Sequence, residues 1–271
     1  MKSRESEAGL MPGLFVGHGN PMNAIDDNEF SRQWRKLGTA LPAPRGILCI
    51  SAHWESAGTR VTATEAPRTI HDFAGFPPEL YQVDYPASGS VWLAGAAMQA
   101  IKRIEVRPDH EWGLDHGCWS VLKQMYPQAC VPVVQLSLDY TAGAATHYAV
   151  GRELASLREQ GVLIMGSGNM VHNLRRVVLP AEGSGDFNSP FGLDWALEAN
   201  ALLKQLIDEG RHEELIDYRS LGEAVRLAVP TPEHYLPMLY VLATGLPGEP
   251  IRYFNDRAVA GSLTMTSFVI G

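Results

Sequence analysis

Histidine recurs in this sequence at the same kind of place. Apolar residues 14–16 open into Gly17-His18-Gly19-Asn20-Pro21, and residues 47–50 open into Ser51-Ala52-His53-Trp54. Residues 162–165 open into a longer polar stretch, Gly166 to Asn173, that carries His172. A fourth stretch, PTPEHYLPMLY from residue 230, supplies Glu233 and His234 side by side. Neutral imidazoles and a carboxylate are donors that hold a divalent transition metal, and a histidine left over beside the ion can act as acid or base. One such histidine alone is more often a hydrogen-bonded rim residue; the repetition makes a metal site the better reading. A fifth segment, WGLDHGCW at residues 112–119, sets Asp115 and His116 between two tryptophans and two glycines. Aromatic walls around a titratable group suit a site that excludes water, while Asp115 equally fits the N-cap of the helix that follows.

Side chains so far apart in the chain need a frame that returns them to one edge. The runs at 47–50 and 162–165 are continuously apolar, as strands buried on both faces of a sheet read, and 131–138, VPVVQLSL, reads as another buried strand. Parallel strands of an open α/β sheet end on a common carboxyl edge, where ligands bind. Helical spacing predicts helices over 26–41 (Phe30, Trp34, Leu37 inward), 90–104 from the N-cap Ser90, 148–160 stopped by Gly161, and 193–209 ended by Gly210. Another follows His116, with Val121, Leu122 and Met125 inward. Further strands are predicted at 61–64, 251–254 and 262–270, and a surface loop at 179–190. Thr231 and Pro232 read as N-cap and first-turn proline, which puts Glu233 and His234 in the first turn of a helix. Residues 69–78, TIHDFAGFPP, are irregular. They either cover a pocket, with Phe73 and Phe76 as walls and His71 as a polar contact, or pack on their own aromatics.

A chain of 271 residues is near the upper size of a single core, so one α/β domain spanning 1–271 is expected, with residues 1–11 flexible. The net charge of −8 and scattered Lys and Arg argue against a nucleic-acid surface. The start, MKSRESEAGL, lacks the apolar core of a signal peptide, and no run reaches the ~20 apolar residues of a membrane span, so a cytoplasmic protein without membrane contact is expected. Cys49, Cys118 and Cys130 are odd in number and widely spaced, and read as reduced thiols. Three common active-site motifs fail. Pro21 and Met22 break a dinucleotide GxGxxG, Met165 and Asn169 stand where a nucleophile elbow GxSxG needs glycine, and no two candidate ligands share a helix as HExxH.

The segments GHGNPM, SAHW, IHDFxGFP, WGxDHGxW, GSGNxVHN and TPEHYLP, in that order from residue 17 to residue 237, resemble the class III extradiol ring-cleaving dioxygenases of the DOPA 4,5-dioxygenase type. The resemblance implies a three-layer αβα fold around a mostly parallel or mixed sheet. It implies a non-haem Fe(II) enzyme that opens a catechol such as DOPA with O2, its partners being a small aromatic diol and oxygen. On the matching positions His18 and His53 are metal ligands, His172 is the catalytic base and His116 the second active-site histidine. The third ligand falls at Glu233 or His234. Neighbours in a helix point about 100° apart, which favours His234 and leaves Glu233 for the cap. His172, expected to titrate near neutrality, could also be a fourth ligand in a resting zinc form, since Zn(II) binds imidazoles more tightly than Fe(II) does. Trp54, His71, Phe73, Trp119 and Tyr235 are candidates for the ring pocket. Two rival readings use the same residues: a zinc hydrolase, and a catechol-binding protein without turnover.

Overall fold

The apolar runs form the middle of an eight-stranded mixed sheet. The computed structural model describes residues 10–179 and 186–271; residues 1–9, and residues 180–185 of the predicted surface loop, lie outside them. The strands are β1 (Gly13–Gly17), β2 (Gly46–Ser56), β3 (Thr59–Thr62), β4 (Val106–Asp109), β5 (Val133–Asp139), β6 (Val162–Gly168), β7 (Ile251–Phe254), β8 (Ala258–Val259), β9 (Leu263–Thr264) and β10 (Ser267–Ile270). The sheet order is β4-β3-β5-β2-β6-β1-β10-β7, and β8 and β9 pair separately. β5, β2, β6 and β1 are mutually parallel. β3 joins β5 and β10 joins β1 in antiparallel fashion.

Burial on both faces follows from alternation along the strands. In β2, Ile47 and Cys49 face one layer while Leu48 and Ile50 face the other, all four inaccessible. The first layer holds α1 (Glu29–Ala40) and α4 (His116–Met125), through Phe30, Trp34, Leu122 and Met125. The helices that follow α1 are α2 (Pro78–Tyr81) and α3 (Val91–Ala100), and those that follow α4 are α5 (Ala144–Leu154), α6 (Asp194–Asp208), α7 (His212–Ile216), α8 (Glu223–Ala228) and α9 (Leu236–Ala243). The second layer is built from α3, α5, α6, α8 and α9. This is the expected three-layer αβα arrangement.

Several boundaries differ from expectation. Asn28 caps α1 through Phe30 and Ser31, so the helix starts three residues later than predicted. The segment 155–160 tightens into a 3₁₀ turn before Gly161, which takes φ 77°. The helix expected from Thr231 begins instead at Leu236, after a turn in which Pro232 accepts from the amides of Tyr235 and Leu236. Met11, expected to be flexible, is buried, and its amide donates to the Arg158 carbonyl, so the anchored chain already includes residue 11.

Arg158 is the anchor. Its fully buried guanidinium makes a two-point pair with Glu249 at 2.6 and 2.7 Å and donates to the carbonyls of Met11 and Thr244. Removing only the carboxylate would leave a buried charge without its partner. Glu249→Ala is therefore expected to lower the unfolding free energy by about 3–5 kcal/mol, read as a lower urea midpoint.

Candidate active site

The parallel strands deliver three of the histidines to one rim. His18 follows β1 directly, its amide donating to the Gly168 carbonyl at the end of β6. Gly19 adopts φ 60° there, and a Cβ would lie 2.3 Å from the Met265 sulfur, so glycine is required. His53 was expected just past its strand but lies within β2, whose pairing with β5 shifts register between Ile50 and Glu55. That irregularity turns the imidazole out of the regular ladder. His172 lies four residues beyond β6. His234 is brought in by close backbone approach: its carbonyl accepts from the Asn169 amide, and a Cβ on Gly168 would meet that carbonyl at 2.1 Å.

A hydrogen bond sets which nitrogen of His18 is free. Ser167 donates its one hydroxyl proton to the Gly117 carbonyl, so it accepts from His18 Nδ1 at 3.0 Å. The lone pair of His18 is therefore on Nε2. Asp72 Oδ2 lies 3.5 Å from His53 Nδ1, on the side of that ring away from His18. The Nε2 atoms of His18 and His53 face each other at 3.1 Å. Two ligands each about 2.1 Å from one ion, at an angle of about 100°, have this separation.

Ring spacing groups His234 with His18 and His53. The ring centres of His18, His53 and His234 are 5.0, 5.3 and 5.0 Å apart, nearly an equilateral triangle. An ion about 2.1 Å from a nitrogen is about 3.2 Å from that ring's centre, so three rings so spaced subtend angles of about 100–110° at a common point. Ligand atoms of His18, His53 and His116 also lie within 4.8 Å of one another, as do those of His172, Glu233 and His234. His116 fits less well as a ligand, with ring centres 3.9 Å from His53 and 5.7 Å from His18. His172 stacks flat on His234, 3.5 Å away with the planes 6° apart. Two rings stacked this closely cannot both direct a nitrogen at one ion with an ordinary ligand angle. Glu233 is not a helix cap; it accepts from Thr231 Oγ1 at 2.9 Å and lies 3.2 Å from His234 Nδ1, the position of a carboxylate that orients a ligating imidazole.

Burial is the main reason these rings are neutral. It pushes the His53 imidazole down to about 3, helped by repulsion from His116, and pushes His172 down to about 4 although Glu233 pulls it back up. His18 and His234 are likewise held well below the usual histidine range, by burial first and the other rings second. The expectation that His172 titrates near neutrality therefore does not hold for the free site, because so little water reaches it. A consequence for stability follows in sign. Unfolded histidines take up protons near pH 6.5 while the native rings do not, so the metal-free fold loses stability as pH falls from about 6.5 toward 3–4. The urea midpoint of metal-free protein is expected to be lower at pH 5 than at pH 7.

His116 opens α4, behind the N-cap Asp115, whose side chain accepts from the Cys118 amide. Asp115 also accepts from Ser51 and Gln135, so it braces α4 against β2 and β5 rather than touching His116. The partner of His116 is Asp72, a residue not singled out from the sequence. Its signal was present: the one carboxylate of the aromatic segment 69–78, which contains no Lys or Arg. That loop is tethered to the segment before α4, Ile70 and Leu114 exchanging backbone bonds with Leu114 and Arg68.

The aromatic candidates divide. Phe73 packs edge-on to His116 at 5.5 Å and lines the site. His71 bonds the Val83 carbonyl, and Trp119 donates to the Ile70 carbonyl; both support the loop from behind. Trp54 is buried and stacks on Trp112. Tyr235 turns away, its hydroxyl donating to Leu215 and its ring packing on Tyr218. The loop thus covers the site with Phe73 and packs on its own aromatics at once.

Comparison with known proteins places this geometry. The family model described as the catalytic LigB subunit of aromatic ring-opening dioxygenase matches residues 13–265. The chain belongs to the LigB family. It is accordingly an extradiol ring-opening dioxygenase, acting on an aromatic substrate with O2 and dependent on a metal. Among LigB-type relatives, 4,5-DOPA dioxygenase extradiol of Escherichia coli K12 is 48% identical over 265 residues, covering 96% of this chain and 95% of that protein. The protein of the same name from Beta vulgaris is 37% identical over 251 residues, covering 90% of each. A crystal structure of an uncharacterized protein from Escherichia coli K12 superposes with a TM-score of 0.82 at 42% identity, covering 96% of this chain and 100% of that one. None of the described helices is long and apolar enough to cross a membrane.

Proposed function

We infer that this LigB-family protein opens the ring of a catechol such as DOPA by 4,5-type extradiol cleavage, with Fe(II) held by His18, His53 and His234. The observation that carries the reading is the triangle of three imidazole rings, two with their Nε2 atoms facing each other at 3.1 Å, flanked by two further histidines outside the triangle. Three neutral ligands on one side leave positions for both oxygens of a diol and for O2. Ferrous iron, when bound, supplies the acidity of a chelated diol and the electron that O2 must receive, which zinc has no redox change to provide.

The residues of the chain do the rest. His172, neutral and stacked against His234, is the acceptor of the remaining catechol proton. His116, held by Asp72, is the donor on the oxygen side. Phe73 bounds the ring pocket. Zn(II) would occupy the same imidazoles in protein purified without added iron. The thiols Cys49, Cys118 and Cys130, all free, accord with a cytoplasmic protein.

The test is to load metal-free protein with Fe(II) anaerobically, add L-DOPA, and admit air. Oxygen uptake with a coloured ring-fission product is expected, and the zinc-loaded protein is expected to bind catechol without turnover. No uptake with any catechol from fully iron-loaded protein would overturn the proposal. Activity without O2 would point to the hydrolase, and binding without product to the silent protein.

A further inference from the structure

We propose that Asp72 is the positioning residue of His116, holding that imidazole in one tautomer and one orientation while tying the covering loop to the first turn of α4. Asp72 lies in the irregular segment 69–78, with its backbone on the outside, yet only 19% of its side chain is accessible. The carboxylate is turned inward. Both of its oxygens serve the same residue: Oδ1 accepts from the His116 amide at 2.8 Å, and Oδ2 accepts from His116 Nδ1 at 2.8 Å. The same Oδ2 lies 3.5 Å from His53 Nδ1. No Lys or Arg among the described residues pairs with it; its ion-pair partners are these two histidines.

The physical consequence is specific. A carboxylate only accepts, so Nδ1 of His116 carries the proton and Nε2 is the nitrogen left to meet substrate or oxygen. The two-point contact also fixes the ring plane, because amide and imidazole of one residue are gripped together. An amide in place of the carboxylate keeps the shape but has a single acceptor oxygen. It then satisfies either the His116 backbone or its ring, and turns an N–H toward the other. A free ring can adopt the opposite tautomer, with its lone pair buried against the loop. The loop matters for the same reason, since Phe73, the next residue, packs on the His116 ring at 5.5 Å. Placing the carboxylate and seating the pocket wall are thus one event.

The inference rests on the proposed ring-opening role of His116, so the experiment has one arm that reads tautomer and one that reads turnover. In the first, the metal-free wild-type protein is expected to show a downfield imidazole N–H proton resonance that disappears in both Asp72→Asn and His116→Gln. In the second, Asp72→Asn is expected to lower kcat for catechol opening by about 10–100-fold with KM and bound metal changed by less than about twofold. Asp72→Glu, which keeps the charge on a longer side chain, is expected to recover part of the rate. In a His116→Gln background, adding Asp72→Asn is expected to cost less than about twofold more. An unchanged resonance and kcat in Asp72→Asn, or an equal loss in both backgrounds, would overturn the assignment. Should wild-type protein open no catechol, the function fails, while the resonance still decides what Asp72 does.

Discussion

His53→Ala is expected to remove the metal and lower ring opening by at least about 10³-fold, or about 4 kcal/mol of transition-state stabilisation. The reason is geometric. His53 Nε2 lies 3.1 Å from His18 Nε2, and its ring is 5.0 Å from both His18 and His234, so its loss opens the triangle to two ligands. His116 cannot take its place without releasing the two hydrogen bonds that fix it to Asp72. The fold is expected to survive, because the His53 side chain is 20% accessible and Trp54, on the other side of β2, carries the packing. Metal content by elemental analysis and oxygen uptake after Fe(II) loading are the two measurements. His110→Ala, a change at an exposed position, is the control and is expected to keep both. Retention of a full equivalent of iron by His53→Ala would mean that the ion is held elsewhere.

The second large effect separates the two roles read for His172. His172→Gln is expected to lower kcat by about 10²–10⁴-fold, the range for losing a positioned acid or base, while iron content stays at the wild-type level. His172 stacks face to face on His234, with the ring centres 3.5 Å apart. If it were a fourth ligand, iron affinity and rate would fall together. Catechol binding under anaerobic conditions is expected to persist in the variant, because the diol is held by the metal site and the pocket wall at Phe73. The free site keeps His172 neutral down to about pH 4, since burial outweighs the pull of Glu233.

Much of this arrangement was legible before any coordinates. Alternation and continuous apolar runs identify β1, β2, β5 and β6, because side-chain parity is a local property of the backbone. The return of histidine after three of those runs points to one rim, because parallel strands of a sheet end together. Capping residues such as Ser90 and the stop at Gly161 were readable for the same local reason. The opening of α9 was misread: a proline one residue after a threonine suits a helix start, yet the chain between 232 and 235 is spent on a turn that presents His234.

Sequence alone therefore determined which histidines could carry chemistry, and the sheet edge to which most of them go. Tertiary structure decided how they are grouped. The spacing of the His234 ring from His18 and His53, the stacking of His172 on His234 and the turning of Tyr235 into the core depend on distances between segments that are remote along the chain. So does the grip of Asp72 on a ring 44 residues away. Such distances are set by how helices and loops pack against the sheet, a sum of many weak contacts that no short run of residues contains.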